Sequence, residues 1–102
     1  MTKRSVILSC GSYLPARVLT NADLEKMVDT TDEWIVQRSG IRERHIARDD
    51  ETTADMAIEA ARRALAQAKL TGADIDGVIV ATSTPDTTFP SVAVKVQAAL
   101  GV

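Results

Sequence analysis

The stretch TADMAIEAARRALAQAK (Thr53–Lys69), followed a few residues later by GVIVA (Gly77–Ala81), decides the fold class. The first segment holds seven alanines together with Met56, Ile58 and Leu65, and it has few β-branched residues. That composition predicts the longest helix of the chain, with side chains small enough to pack closely on a sheet. Thr71-Gly72 ends it. The second segment is continuously apolar, as expected of a strand buried on both faces. Upstream, Ile41–Ile46 (IRERHI) is short and partly alternating and predicts a strand or extended segment, so residues 41–81 read as one βαβ unit. Arg4–Cys10 (RSVILSC) is a third predicted strand, closed by Gly11-Ser12. Thr20 and Asp23 have capping-box spacing before a short helix carrying Leu24, Met27 and Val28. Thr30 and Glu33 form a full box before another helix, which Gly40 stops. Downstream, Thr82–Pro90 is a loop. A last helix starts at Pro90 or Ser91 and ends at Gly101. This order predicts an α/β architecture with a largely parallel sheet. Three strands are few to cover GVIVA on both faces, which favours part of a larger body over a complete small domain.

The composition narrows the function. Of 102 residues, 45% are hydrophobic and 25% charged, with a net charge of −2, ordinary values for a globular protein. No apolar run approaches the ~20 residues of a membrane helix, and Val6-Ile7-Leu8 is too short for a signal peptide. No basic block suggests nucleic acid. The single Cys cannot form an internal disulfide, which suits a reducing compartment. With only Tyr13, Trp34 and Phe89 aromatic, the core must be aliphatic.

Three residues stand out by spacing. Thr30, Trp34 and Arg38 lie at i, i+4 and i+8, on one face of a helix. A hydroxyl, an indole and a guanidinium suit a nucleotide: the ring stacks on a base, the Arg pairs with phosphate and the Thr bonds a ring nitrogen. The plainer reading makes Trp34 a core anchor, Thr30 a cap and Arg38 a solvated helix end. Phe89, between Pro85 and Pro90 in a Thr-rich loop, is either an aromatic finger or a local anchor. His45 has no second His and no metal-ligand spacing around it, so a structural or solvated role is expected. Cys10 precedes Gly11 and Pro15 rather than a helix start, and is expected to be a small buried thiol. Asp49-Asp50-Glu51 and Arg62-Arg63 read as solvated or partner-facing charge. The chain holds no nucleophile with its base, no metal cluster and no phosphate loop.

Gly11–Pro15 (GSYLP), Thr20–Lys26 (TNADLEK), Asp29–Trp34 (DTTDEW) and above all Gly40–Ile46 (GIRERHI) resemble β-ketoacyl-[acyl-carrier-protein] synthase III. Val80-Ala81-Thr82 and Phe89-Pro90-Ser91 resemble it too, in the same order. The resemblance implies a thiolase-like layered αβαβα fold. Residues 1–102 would be an incomplete N-terminal half of it, with no internal boundary. It implies condensation of a short acyl-CoA such as acetyl-CoA with malonyl-acyl carrier protein, in a cytoplasmic homodimer with no cofactor and no metal. By position, Trp34 matches a residue stacked on the CoA adenine, Arg38 a basic residue at the nucleotide end and Thr30 a hydroxyl near the adenine. Phe89 matches an aromatic that reaches the partner's acyl pocket. The family's Cys nucleophile and its His and Asn would lie beyond Val102, so this chain alone is expected to be inactive. A homologue of secondary metabolism and a non-catalytic CoA-binding module are the alternatives.

Overall fold

The computed structural model describes residues 2–102. The elements run β1 (Arg17–Thr20), α1 (Asn21–Glu25), α2 (Asp32–Ser39), β2 (Glu43–Ile46), α3 (Thr53–Ala68), a 3-10 turn (Gly72–Asp74) and α4 (Val92–Leu100). They form two compact units, one of residues 2–13 with 51–102 and one of residues 14–50.

The first unit is built on α3 and α4. Ala54, Val92 and Val96 are its buried core, with Ala57, Ile58, Ala61, Val78, Val80 and Leu100 packed against them. Positions 54, 57, 58 and 61 form one stripe on α3, and 92, 96 and 100 form another on α4, so two amphipathic faces meet. The core is aliphatic throughout, as the shortage of aromatics requires. Small residues also permit close backbone approach. A Cβ at Gly11 would stand 2.5 Å from the Ala60 carbonyl and the Ala64 amide nitrogen, so the extended N-terminal segment lies directly on α3. Ser9 Oγ donates to the Ala64 carbonyl at 2.7 Å.

The helices start at side-chain caps and end at backbone ones. Thr52 and Asp55 make a capping box on α3, and Ser91 Oγ accepts from Val94 N on α4. Lys69 and Gly101 end the two helices in the left-handed conformation, at φ 58 and φ 70. A further cap comes from far along the chain: Asp86 Oδ1 accepts from Ala54 N at 3.0 Å, while Asp86 Oδ2 pairs with Lys95 Nζ at 3.3 Å. One carboxylate therefore joins the start of α3 to α4. Burial pushes the Asp86 carboxyl up, but the Ala54 amide and the Lys95 ammonium outweigh it and hold it below the usual 3.8. Because the folded state favours the ionised form, its stabilisation is present above the ordinary carboxylate range and is lost as pH falls through the depressed value. Asp86→Asn keeps an oxygen for Ala54 N but loses the charge that favours Lys95 and the helix start. The variant is expected to melt lower than wild type near neutral pH, with the gap closing as pH is lowered toward 3 in thermal melts.

Three expectations for the sheet need correction. Arg4–Cys10 and Gly77–Ala81 form no ladder among the described residues. The one sheet among the described residues is the antiparallel pair β1–β2, with Val18 opposite His45 and Leu19 opposite Arg44. Parallel pairing and the βαβ unit over residues 41–81 are therefore not formed. The GVIVA segment is covered on one side only: Val78 and Val80 face the core, while Ile79 is 97% exposed. A strand exists through its partner, and apolar sequence alone does not supply one. The strand missed by sequence is β1, four residues that run straight into a cap. Thr20 both closes β1 and caps α1, with Asp23 reciprocating as expected from the spacing. Thr20's amide and hydroxyl donate to Asp23 and hold its carboxyl below the usual 3.8.

Cys10 also departs from expectation, since its thiol is exposed rather than buried. It lies on the unpaired N-terminal segment, where Ile7 is 91% exposed.

Candidate functional site

The second unit carries the three residues singled out by spacing. Its α2 begins one residue later than the capping-box reading places it. Thr31, not Thr30, is the N-cap, and its Oγ1 accepts from Trp34 N at 3.1 Å. Asp32 and Glu33 occupy the first turn, where carboxylates favour the helix dipole. Glu33 does not close a box; its carboxylate instead accepts from Gln37 Nε2 at 3.3 Å. Gly40 ends the helix at φ 72, as its position predicts.

Trp34 and Arg38 share a face one turn apart. The Arg38 guanidinium carbon sits 4.6 Å from the centre of the Trp34 ring, a cation–π contact. Trp34 is 54% exposed, so it is not the core anchor of the plainer reading. Thr30 lies just outside the helix, so the stripe as a helical repeat holds for Trp34 and Arg38 only. Thr30 nevertheless stays beside the indole: Asp29, Thr30, Thr31 and Trp34 line one hollow. Asp29 and Thr31 were not expected there. The signal for Thr31 was the acidic pair that follows it, which fits a first turn starting at Asp32.

Charge is graded along the helix axis. Asp29, Asp32 and Glu33 stand at the start of α2 and Arg38 at its end. An anionic group is favoured at the Arg38 end and opposed at the other. The indole offers a flat apolar surface between the two.

Phe89 belongs to the first unit and is 87% exposed, which excludes the local-anchor reading. Its loop is fixed on both sides. Thr53 Oγ1 donates to the Thr84 carbonyl at 2.7 Å, Asp86 caps α3, and Thr87 Oγ1 donates to the Pro90 carbonyl at 2.9 Å. The backbone between them is thus held while the ring stands in solvent. The Phe89–Pro90 peptide bond is cis. His45 has a structural part: Nδ1 donates to the Pro15 carbonyl at 2.6 Å, with Glu43 3.9 Å from Nε2. Arg63 pairs with Glu59, donates to the Ser12 carbonyl and lies 5.4 Å from the Tyr13 ring centre, while the Tyr13 hydroxyl donates to Glu51. No three His, Cys, Asp or Glu side chains among the described residues cluster as a metal site would. Among the described residues no helix is long and apolar enough to cross a membrane.

No family model matches the chain. Among solved structures, 3-oxoacyl-[acyl-carrier-protein] synthase III from Aquifex aeolicus VF5 superposes with a TM-score of 0.86 at 54% identity. That match covers 93% of this chain and 30% of the other. The priming β-ketosynthase of the R1128 polyketide pathway superposes equally well, at 0.86 and 42% identity over 93% of this chain and 28% of its own. The fold is therefore that of a segment of the thiolase-fold condensing enzymes, acyltransferases with an α/β architecture. Within that class the sequence is homologous from end to end to β-ketoacyl-[acyl-carrier-protein] synthase III. The enzyme of that name from Rhodospirillum centenum is 60% identical over 102 residues, all of this chain and 32% of its own length. The chain thus spans about a third of the curated relatives it matches.

Proposed function

We propose that this chain is the N-terminal portion of a 3-oxoacyl-[acyl-carrier-protein] synthase III and supplies its CoA-nucleotide surface. The observation that carries this reading is the exposed indole of Trp34 with the Arg38 guanidinium 4.6 Å from its centre and Thr30 beside it. An adenine stacks on the indole, Thr30 hydrogen-bonds its edge and Arg38 neutralises phosphate. The whole enzyme condenses a short acyl-CoA such as acetyl-CoA with malonyl-acyl carrier protein, starting type II fatty-acid synthesis. It works as a cytoplasmic homodimer without cofactor or metal. Phe89 reaches from its fixed loop toward the partner's acyl pocket. The Cys-His-Asn set lies beyond Val102, so the 102-residue chain binds but does not condense.

Trp34 is the only tryptophan, so its fluorescence reports on this surface alone. CoA is expected to quench it saturably, while pantetheine, which lacks the nucleotide, leaves it unchanged. No quenching at millimolar CoA would sink the reading. A second reading, a priming synthase of secondary metabolism, is favoured by the match to the R1128 polyketide enzyme. The acyl-CoA preference of the whole enzyme separates the two.

A further inference from the structure

Helix α2 has no fully buried residue; with only Ile35 and Val36 half-buried, packing holds it in part. Polar ties at its ends supply the rest. Those ties converge on Asn21, the first residue of α1 and, at 1% exposure, the one buried polar residue among those described. Asn21 Nδ2 donates to Asp32 Oδ1 and to the Ile41 carbonyl, both at 2.8 Å. Asp32 is the first residue of α2 and Ile41 follows Gly40, its C-cap, so one amide holds both ends of the helix. Asn21 N donates to the Arg42 carbonyl at 3.1 Å, which fixes the start of β2 as well. From the last position of α1, Glu25 Oε1 accepts from Asp32 N at 2.6 Å. The amide cannot be turned over, because its oxygen would then face two acceptors. That oxygen is buried without a partner, a cost the residue sustains while both its N–H groups are used.

We infer that Asn21 is a positioning residue for the nucleotide surface: it touches no ligand but fixes the frame in which Trp34 and Arg38 face one. The inference rests on the CoA reading above and goes beyond it. A binding face on a thinly packed helix needs such support, since small displacements of the supporting frame loosen a site. The test uses CoA titration by Trp34 fluorescence, the anisotropy of the indole without ligand, and far-ultraviolet circular dichroism on the 102-residue chain. Asn21→Ala is expected to weaken CoA binding about tenfold and to lower the indole anisotropy, with helix content kept. Because the buried substitution threatens folding, a second pair reads the same bond from its exposed partner. Asp32→Asn and Asp32→Ala both remove the charge, but only the alanine removes the acceptor. Asp32→Asn is expected to bind CoA more tightly than Asp32→Ala by severalfold and to keep the higher anisotropy.

The proposal is overturned if a folded Asn21→Ala matches wild type in affinity and anisotropy. It is equally overturned if the two Asp32 variants cannot be told apart. If wild type itself ignores CoA, the nucleotide reading fails, and the anisotropies still decide whether Asn21 fixes α2.

Discussion

Trp34→Ala is expected to weaken CoA binding by about ten- to a hundredfold, since stacking of one base on an aromatic ring contributes ~1–3 kcal/mol. Two losses combine in this variant. The adenine loses its apolar platform, and Arg38 loses the ring against which its guanidinium rests at 4.6 Å. The second loss frees a long side chain that must then be ordered again when phosphate binds. Calorimetric titration is the suitable measurement, because the variant has no tryptophan left to report. Trp34→Phe should recover part of the affinity, as a smaller ring still stacks. Little should change in stability, since the indole is 54% exposed and sits on a helix without buried residues. An alanine variant that binds CoA as wild type does would remove Trp34 from the site altogether.

The largest expected loss of stability is that of Gly72→Ala. A Cβ at Gly72 would overlap the Leu100 carbonyl oxygen and stand 2.7 Å from its carbon and 3.0 Å from the Gly101 carbon. These are backbone atoms at the closed end of α4, not the far end of a mobile side chain, so they cannot turn aside. Either the 3-10 turn moves away or the last turn of α4 does, and Leu100 leaves the core with it. Overpacking of this kind costs about 1–3 kcal/mol and sometimes more, and backbone against backbone belongs at the upper end. The readout is the urea midpoint. Gly77→Ala is the matched control, because nothing lies within 4 Å of a Cβ there. Equal midpoints for the two variants would show that the turn yields without cost.

The helices were legible in the sequence because their signals are local. Thr20 with Asp23, Ser91 and Gly101 mark their ends by side-chain chemistry within a few residues, and the structure places them as caps. The alanine-rich segment formed the longest helix over nearly its expected span. Thr30 reads as a cap because Glu33 stands three residues on, whereas Thr31, the cap in the structure, has Trp34 at that position and so carries no capping-box signal. The strands were less legible. Whether Arg4–Cys10 or Gly77–Ala81 pairs depends on a neighbour that local sequence does not specify, and β1 meets β2 only across residues 21–42, which carry α1 and α2. Of the site, the shared face of Trp34 and Arg38 followed from helical spacing, while their cation–π contact is a finding of the structure. Asp86 capping α3 from beyond residue 80, and Asn21 holding both ends of α2, had no sequence signal, because each joins segments far apart in the chain.

The hydrogen bond between the Tyr13 hydroxyl and Glu51 acquires a meaning from where the units divide. The chain leaves the first unit after Tyr13 and re-enters it at Glu51, so this bond closes residues 14–50 into a loop at its neck. The loop-closure entropy of that excursion is then borne by the first unit, whatever state the excursion is in. Residues 14–50 therefore leave and rejoin the first unit at adjoining points. The same neck marks them as a cassette: a segment with adjoining ends can be cut out, replaced by a short turn or carried into another scaffold as one piece.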